Sequence, residues 1–225
     1  MARCGTRLAR TAVFGGSFNP IHYGHLLLAD DLLEILRLDR VLFVPAKHPP
    51  HKDPSRLAPP AERLAMVRLA TTGHRGFEVS DVELMRPGPS YTVDTLAALA
   101  RPAERLFLIV GSETFLDLLS WRDPRRVAQL ARLVIVPRVG SPFDVDSEAA
   151  QKVLREIGVE GGFTHVGADG AVPERGVIVS RAASMPISAS ELRRRVREGR
   201  SLAFRLPPAV ADYIAIHGLY RESAV

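Results

Sequence analysis

Thr11-Ala12-Val13-Phe14-Gly15-Gly16-Ser17-Phe18-Asn19-Pro20-Ile21-His22-Tyr23-Gly24-His25 is the stretch from which the fold is read. It opens as a short apolar strand, Thr11 to Phe14, and turns at a pair of glycines. A helical pattern follows from Leu26 to Leu36, with Leu28, Leu32, Ile35 and Leu36 on one face. Strand, glycine-rich turn and helix in that order make an anion site. Glycine lets the backbone approach a ligand closely. A helix start offers free N–H groups and a positive dipole end. His22 and His25 are three apart, so near a helix start they project to one side. Imidazoles placed there can donate to a phosphate and stabilise charge that develops on it. No Gly-Lys-Ser/Thr follows, and the Gly-x-Gly-x-x-Gly dinucleotide pattern is absent. Taken alone, the pattern is also that of a glycine-rich turn with two incidental histidines. Its place between a strand and a helix favours the phosphate reading.

The same alternation continues along the chain. Val41–Val44, Phe77–Val82, Leu106–Val110, Leu133–Val136 and Gly176–Val179 read as further strands. Ala61–Ala70, Tyr91–Ala100, Thr114–Leu119, Pro124–Leu130, Glu191–Arg197 and Pro208–His217 read as helices, with Ser90 or Thr92 as a cap for the second. Ala46 to Pro60 is a loop rich in Pro, His and Lys. Apolar strands alternating with helices predict an α/β fold: a Rossmann-like, doubly wound parallel sheet with a small C-terminal helical portion. Ligands of such sheets gather at the carboxyl ends of the strands. Residues 1–10 are expected to be a flexible leader and 11–225 a single domain. Within it, 140–175 is expected to be an irregular elaboration with one helical piece, Ser147 to Ile157, and 187–221 the helical C-terminal part.

The composition narrows the function classes. Of 225 residues, 46% are hydrophobic and 24% charged, enough for a substantial core in a soluble chain. No stretch is long and apolar enough to span a bilayer, and no signal-peptide core follows the basic start, so a cytoplasmic location is expected. Cys4 is the lone cysteine, without a disulfide partner or the companions of a metal site. The net charge of +5 is dispersed apart from the run Arg193–Arg197, and aromatics are only 6%. Basic and aromatic residues are not interleaved as a single-strand platform would require. Small anions are therefore expected as ligands, with no nucleic acid and no membrane.

A second basic element is Ile187-Ser188-Ala189-Ser190-Glu191-Leu192-Arg193. Ser188 with Glu191 has the spacing of a capping box, with Arg193 just inside the helix. By itself this is a capped helix with a solvated arginine or a phosphate clamp in equal measure. Beside the first motif, the clamp is favoured.

Together the two elements resemble the paired signatures of the nucleotidyltransferase superfamily with the His-x-Gly-His motif. More narrowly, the chain resembles the bacterial nicotinate-mononucleotide adenylyltransferases. Pro49-Pro50-His51-Lys52, Pro89-Ser90-Tyr91-Thr92 with Thr95-Leu96, the Trp121 region and the ending from Leu206-Pro207 to Leu219-Tyr220-Arg221 carry that likeness, which is weakest from Gly140 to Arg175. The resemblance implies transfer of AMP from ATP to nicotinate mononucleotide, giving deamido-NAD and pyrophosphate. It implies that His22 and His25 contact ATP phosphates, with His25 nearest the reacting centre, and that Ser188, beside Ile187, and Arg193 hold the distal phosphates. Gly15, Gly16, Ser17 and Phe18 would line the phosphate channel. Gly111 and Glu113 would meet ribose on the ATP side. Trp121 would stack on the nicotinate ring, with Tyr91, Thr92 and Arg122 beside its carboxylate and Lys52, and less clearly Lys47, on the mononucleotide phosphate. Mg²⁺ would come with ATP, with no dedicated metal site. The chain departs from the family pattern where Glu113 replaces the usual Asp, and where Ser17 and Asn19 stand for Thr and Asp. A related adenylyl- or cytidylyltransferase, and a nucleotide-binding protein without catalysis, are the competing readings. The sequence leaves the oligomeric state open, and a homo-oligomer is compatible with it.

Overall fold

In the computed structural model the described residues are 8–50, 52–137, 143–167, 171–182 and 185–221. Cys4, His51 and most of the expected leader lie outside them. Strand β1 (Ala9–Gly16) leads through the glycine turn into α1 (Tyr23–Ile35) and β2 (Arg40–Pro45). A long loop with a 3-10 turn reaches α2 (Pro60–Thr71) and β3 (Phe77–Val79). Helices α3 (Val82–Met85) and α4 (Thr92–Leu99) bring the chain back to β4 (Glu104–Gly111). Next come α5 (Ser112–Leu116), a second 3-10 turn, α6 (Pro124–Leu130) and β5 (Arg132–Val136). The chain continues with α7 (Glu148–Glu156), β6 (Phe163–Val166), β7 (Val177–Ser180), α8 (Ala189–Arg197) and α9 (Pro208–Ile216).

The strands form one seven-stranded sheet in the order β3-β2-β1-β4-β5-β7-β6. Every neighbouring pair is parallel. Successive strand residues point to opposite faces, and the two cores follow that period. Ala12, Phe14, Val41, Phe43, Phe107 and Ile109 face one side with residues of α1, α2, α8 and α9. Val13, Leu42, Val44, Leu106, Leu108 and Val110 face the other with residues of α4 to α7. The sheet is therefore covered on both faces, as its continuous apolar strands require. The chain's direction across the sheet reverses between β1 and β4. That switch point opens a crevice at their carboxyl ends.

Some expected boundaries shift for identifiable reasons. β1 begins two residues before Thr11, pairing Ala9 with Glu104. β3 stops at Val79, because the Ser80 hydroxyl accepts from the Val82 amide at 3.3 Å and turns the chain into α3. Ser90 does not cap α4. Its hydroxyl accepts from the amides of Lys47 and His48 at 3.0 and 3.2 Å, joining the loop after β2 to the start of α4. The irregular stretch holds α7 where a helix was expected, and also β6, which forms an edge of the sheet. β6 buries only Val166 of its four residues, so its apolar signal is weak.

Phe43 lies at the centre of one core, 0% exposed, with ring centroids 5.6, 5.8 and 5.1 Å from those of Phe14, Phe18 and Phe77. Replacing it with alanine opens a cavity that this packing cannot fill. Phe43→Ala is expected to cost roughly 3–5 kcal/mol. Urea unfolding should show this as a lower midpoint with an unchanged slope.

Candidate active site

Two cavities meet at the carboxyl end of β1. The first, about 590 Å³, is walled by the glycine turn, the start of α1, the loop around Asp53 and Arg56, and the start of α8. Local packing explains the glycines. A Cβ on Gly16 would come within 3.1 Å of the Phe18 ring, and one on Gly24 within 3.0 Å of His22 Nδ1. Phe18 adopts a positive φ of 42° and folds its ring back, buried, against the turn.

α1 starts three residues before the expected Leu26, so the histidines fall in its first turn. His22 is the N-cap residue and His25 lies at the third helical position. Their rings stack with centroids 3.8 Å apart. The His22 amide donates to His25 Nδ1 at 3.3 Å. A neutral His25 ring therefore carries its proton on Nε2. Phe14 and Phe18 present edges to the His25 ring at 5.9 and 5.2 Å. Burial lowers the His22 imidazole to about 4. Burial, then the neighbouring charges of His22 and Lys52, holds His25 well below the usual range. Both rings are neutral at pH 7.

The positive charge comes from other elements. Arg193, on α8, donates to the Asn19 carbonyl at 2.7 Å, joining the C-terminal helices to the glycine turn. Lys52 Nζ donates to the Ser17 hydroxyl at 2.8 Å. Partial desolvation, then the nearby charges of Arg193 and Arg63, depresses the Lys52 ammonium. Ser188 caps α8 by accepting from the Glu191 amide at 3.3 Å. The Glu191 carboxylate turns instead to Arg194, so the expected capping box is half made. Lys52, Arg63 and Arg193 crowd together, and an anion in this cavity would relieve their repulsion.

The second cavity, about 530 Å³, opens on the other side of Gly15–Ser17 and Lys52. Tyr91, Thr92, Trp121 and Arg122 line it together. Arg122 lies 5.0 Å from the Tyr91 ring centre and 3.6 Å from Asp94. Gly111, at the end of β4, and Glu113, in the first turn of α5, also line this second cavity and not the first. They therefore do not gather with Ile187, Ser188 and Arg193. Lys47 lines neither and donates to the Arg86 carbonyl at 3.2 Å.

Sequence reasoning gave Asn19 no role beyond standing for Asp, and missed Arg63. Asn19 is 3% exposed and bonds the Arg56 carbonyl at 3.0 Å and the Ala58 amide at 2.9 Å, holding the loop over the first cavity. Arg63 is 0% exposed behind the junction. Its signal was an arginine close in sequence to the apolar Leu64, Met66 and Val67 of α2.

The cytidylyltransferase-like family model matches residues 13–195 of the chain. A protein of Roseiflexus sp. (strain RS-1) named "Probable nicotinate-nucleotide adenylyltransferase" is 43% identical over 214 residues, covering 95% of this chain and 98% of that one. A protein of the same name from Thermus thermophilus is 44% identical, covering 94% of this chain and 100% of that one. Among solved structures, the nicotinic acid mononucleotide adenylyltransferase of Plasmodium falciparum complexed with NaAD superposes with a TM-score of 0.70 over 94% of this chain and 97% of that one. At 18% identity, that likeness speaks for the fold.

The neutral histidines predict a pH dependence. An unfolded histidine titrates near 6.5, whereas folded His22 does so near 4. Between those values the unfolded chain binds more protons. Stability is thus fully present above about 6.5 and is lost as pH falls toward 4. His22 alone should account for on the order of 3 kcal/mol across that window. Urea midpoints of the ligand-free protein from pH 7 to pH 5 should fall, and less steeply in His22→Gln. Equal slopes for both proteins would show that the ring is solvated.

Proposed function

The chain belongs to the cytidylyltransferase-like family and, within it, to the nicotinate-nucleotide adenylyltransferases, and on that premise we propose that it transfers AMP from ATP to nicotinate mononucleotide in NAD biosynthesis. The observation that carries this reading is the meeting of a cationic, histidine-bearing cavity with an aromatic one at Gly15–Ser17 and Lys52. Two nucleotides can lie in these cavities with their phosphates at the common edge.

In the proposed reaction a phosphate oxygen of the mononucleotide attacks the α-phosphorus of ATP. The new P–O bond forms as the bond to the β-phosphate oxygen breaks, and pyrophosphate leaves. No covalent enzyme intermediate is needed, so the protein works by positioning and by stabilising charge. His25 Nε2–H donates to the reacting phosphoryl group, and His22 braces that ring and contacts the phosphates. Ser188 and Arg193 hold the β- and γ-phosphates, which become the leaving group. The turn from Gly15 to Phe18 and the backbone at Ile187 shape the channel between them. Lys52 takes the mononucleotide phosphate, and Trp121 stacks on its ring. Tyr91, Thr92 and Arg122 surround the nicotinate carboxylate. Gly111 and Glu113, which line the aromatic cavity, meet a ribose hydroxyl.

Among the described residues no three His, Cys, Asp or Glu side chains gather in a group able to hold a metal. A hard cation carried on substrate phosphate oxygens and water suits such a lining. We therefore propose that Mg²⁺ enters with ATP, where it neutralises phosphate charge. No helix among the described residues is long and apolar enough to cross a membrane.

Pyrophosphate release from Mg-ATP should require nicotinate mononucleotide and run faster with it than with the nicotinamide analogue. No release with either would exclude the reaction, and faster turnover of the amide would reassign the substrate. His25→Ala should lower kcat by about 100-fold or more, on the scale of a lost oxyanion donor, while the melting temperature is little changed. Activity within a few-fold of the parent would make the ring merely structural.

A further inference from the structure

A fully buried cation sits behind the junction of the two cavities. Arg63 comes from α2, outside every motif named above, and is 0% exposed. Its hydrogen bonds all go to backbone carbonyls: Ser17 at 2.8 Å, Ala58 at 2.9 Å and Lys47 at 3.2 Å. These carbonyls belong to the glycine turn and to the two ends of the one loop between β2 and α2. Ser17 is in the glycine turn shared by both cavities. Lys47 opens the loop after β2, and its amide is tied through the Ser90 hydroxyl to the start of α4. Ala58 closes the loop that carries Lys52, Asp53 and Arg56, and its amide is held by Asn19.

A buried charge without good partners is costly, so its retention here needs a reason beyond packing. A leucine or methionine would fill the same space beside Met66 and Val67. Neither could hold three carbonyls at fixed angles, whereas the planar guanidinium fork can. A lysine has the charge but not the fork, and its one nitrogen cannot reach all three acceptors in this geometry.

We propose that Arg63 is a positioning residue for the adenylyl transfer, setting the spacing between the phosphate cavity and the aromatic cavity by clamping the Ser17, Lys47 and Ala58 carbonyls. This rests on the reaction proposed above. Arg63 touches neither substrate. It acts through Ser17 and through the loop that delivers Lys52. Misplacing a positioned phosphate by about 1 Å can cost on the order of 100-fold in rate. Because one side chain braces the walls of both cavities, its loss should weaken both substrates together. A residue belonging to one site would affect only that site's ligand.

The test compares the full chain with Arg63→Lys and Arg63→Gln. Melting temperatures, kcat and both Michaelis constants are measured on the same samples, with Mg-ATP binding followed by calorimetry. The expected result is a cooperative melt for Arg63→Lys, with KM for ATP and KM for the mononucleotide each raised about tenfold or more and kcat lowered. Arg63→Gln should be at least as impaired. A purely structural arginine would reduce only the folded fraction, lowering apparent kcat and leaving both KM values unchanged. That outcome would overturn the proposal. So would a folded Arg63→Lys with parental constants, or a rise confined to one substrate. Failure of both variants to fold would also overturn it, since the guanidinium would then serve stability alone. If the parent chain binds Mg-ATP but turns nothing over, the proposed reaction is at fault. Weaker Mg-ATP binding by Arg63→Lys would then still support the clamp.

Discussion

Strand β1 pairs with β2 along one edge and β4 along the other, and all three run in the same direction. The chain moves outward through β2 and β3, then returns to lay β4 against the free side of β1. The segments leaving β1 and β4 must therefore diverge, since they connect to opposite faces of the sheet. α1 packs over one face and α5 over the other. The aromatic cavity lies in the space between them, and the histidine-bearing cavity adjoins it at Gly15–Ser17 and Lys52. Gly15 and Gly16 end β1 in that gap, beside the start of α1. The crevice is thus a consequence of strand order. The side chains decide only what it can hold.

The elements with strong local signals were legible in the sequence. β1, β4 and β5 are runs of apolar residues buried on both faces. The glycine turn and the Ser188 start of α8 have chemistry that announces itself. Trp121, flanked by the polar Ser120, Arg122 and Asp123, lines the aromatic cavity with Tyr91 and Thr92. β6 escaped because an edge strand with one buried residue carries almost no periodicity. The start of α1 escaped because His22, Tyr23, Gly24 and His25 are poor helix formers. Tertiary contact overrides that preference, as the Tyr23 amide donates to the Arg205 carbonyl at 3.0 Å.

What the sequence could not convey was distance. The resemblance puts both Glu113 and Ser188 on the ATP side, and residue order does not say how far apart they lie. The sheet places the end of β4 beside the aromatic cavity and the start of α8 beside the histidines. Ser90 shows the same limit on a smaller scale. A serine before a helix reads as a cap, yet its hydroxyl accepts two amides from a loop 42 and 43 residues earlier. Hydrogen bonds that join segments far apart in sequence leave no local pattern.

The division of charge within the first cavity follows from packing. Two imidazoles stacked at 3.8 Å could not both be protonated without a repulsion of about 4 kcal/mol, even at an effective dielectric near 20. The Phe14 and Phe18 rings pack against His25 and reduce the water that would screen it. The rings are held neutral, and the His22 amide on Nδ1 leaves His25 a single directional donor. The cations come instead from longer side chains on other elements: Lys52 from the loop after β2 and Arg193 from α8. A half-buried ring packed among aromatic neighbours is suited to donate at one angle to a phosphoryl oxygen whose charge is changing. A flexible, partly solvated cation is suited to follow a polyphosphate as it arrives and leaves. Exchanging the two roles would bury a charge against aromatic rings and leave the directional donor in water, where it would gain least.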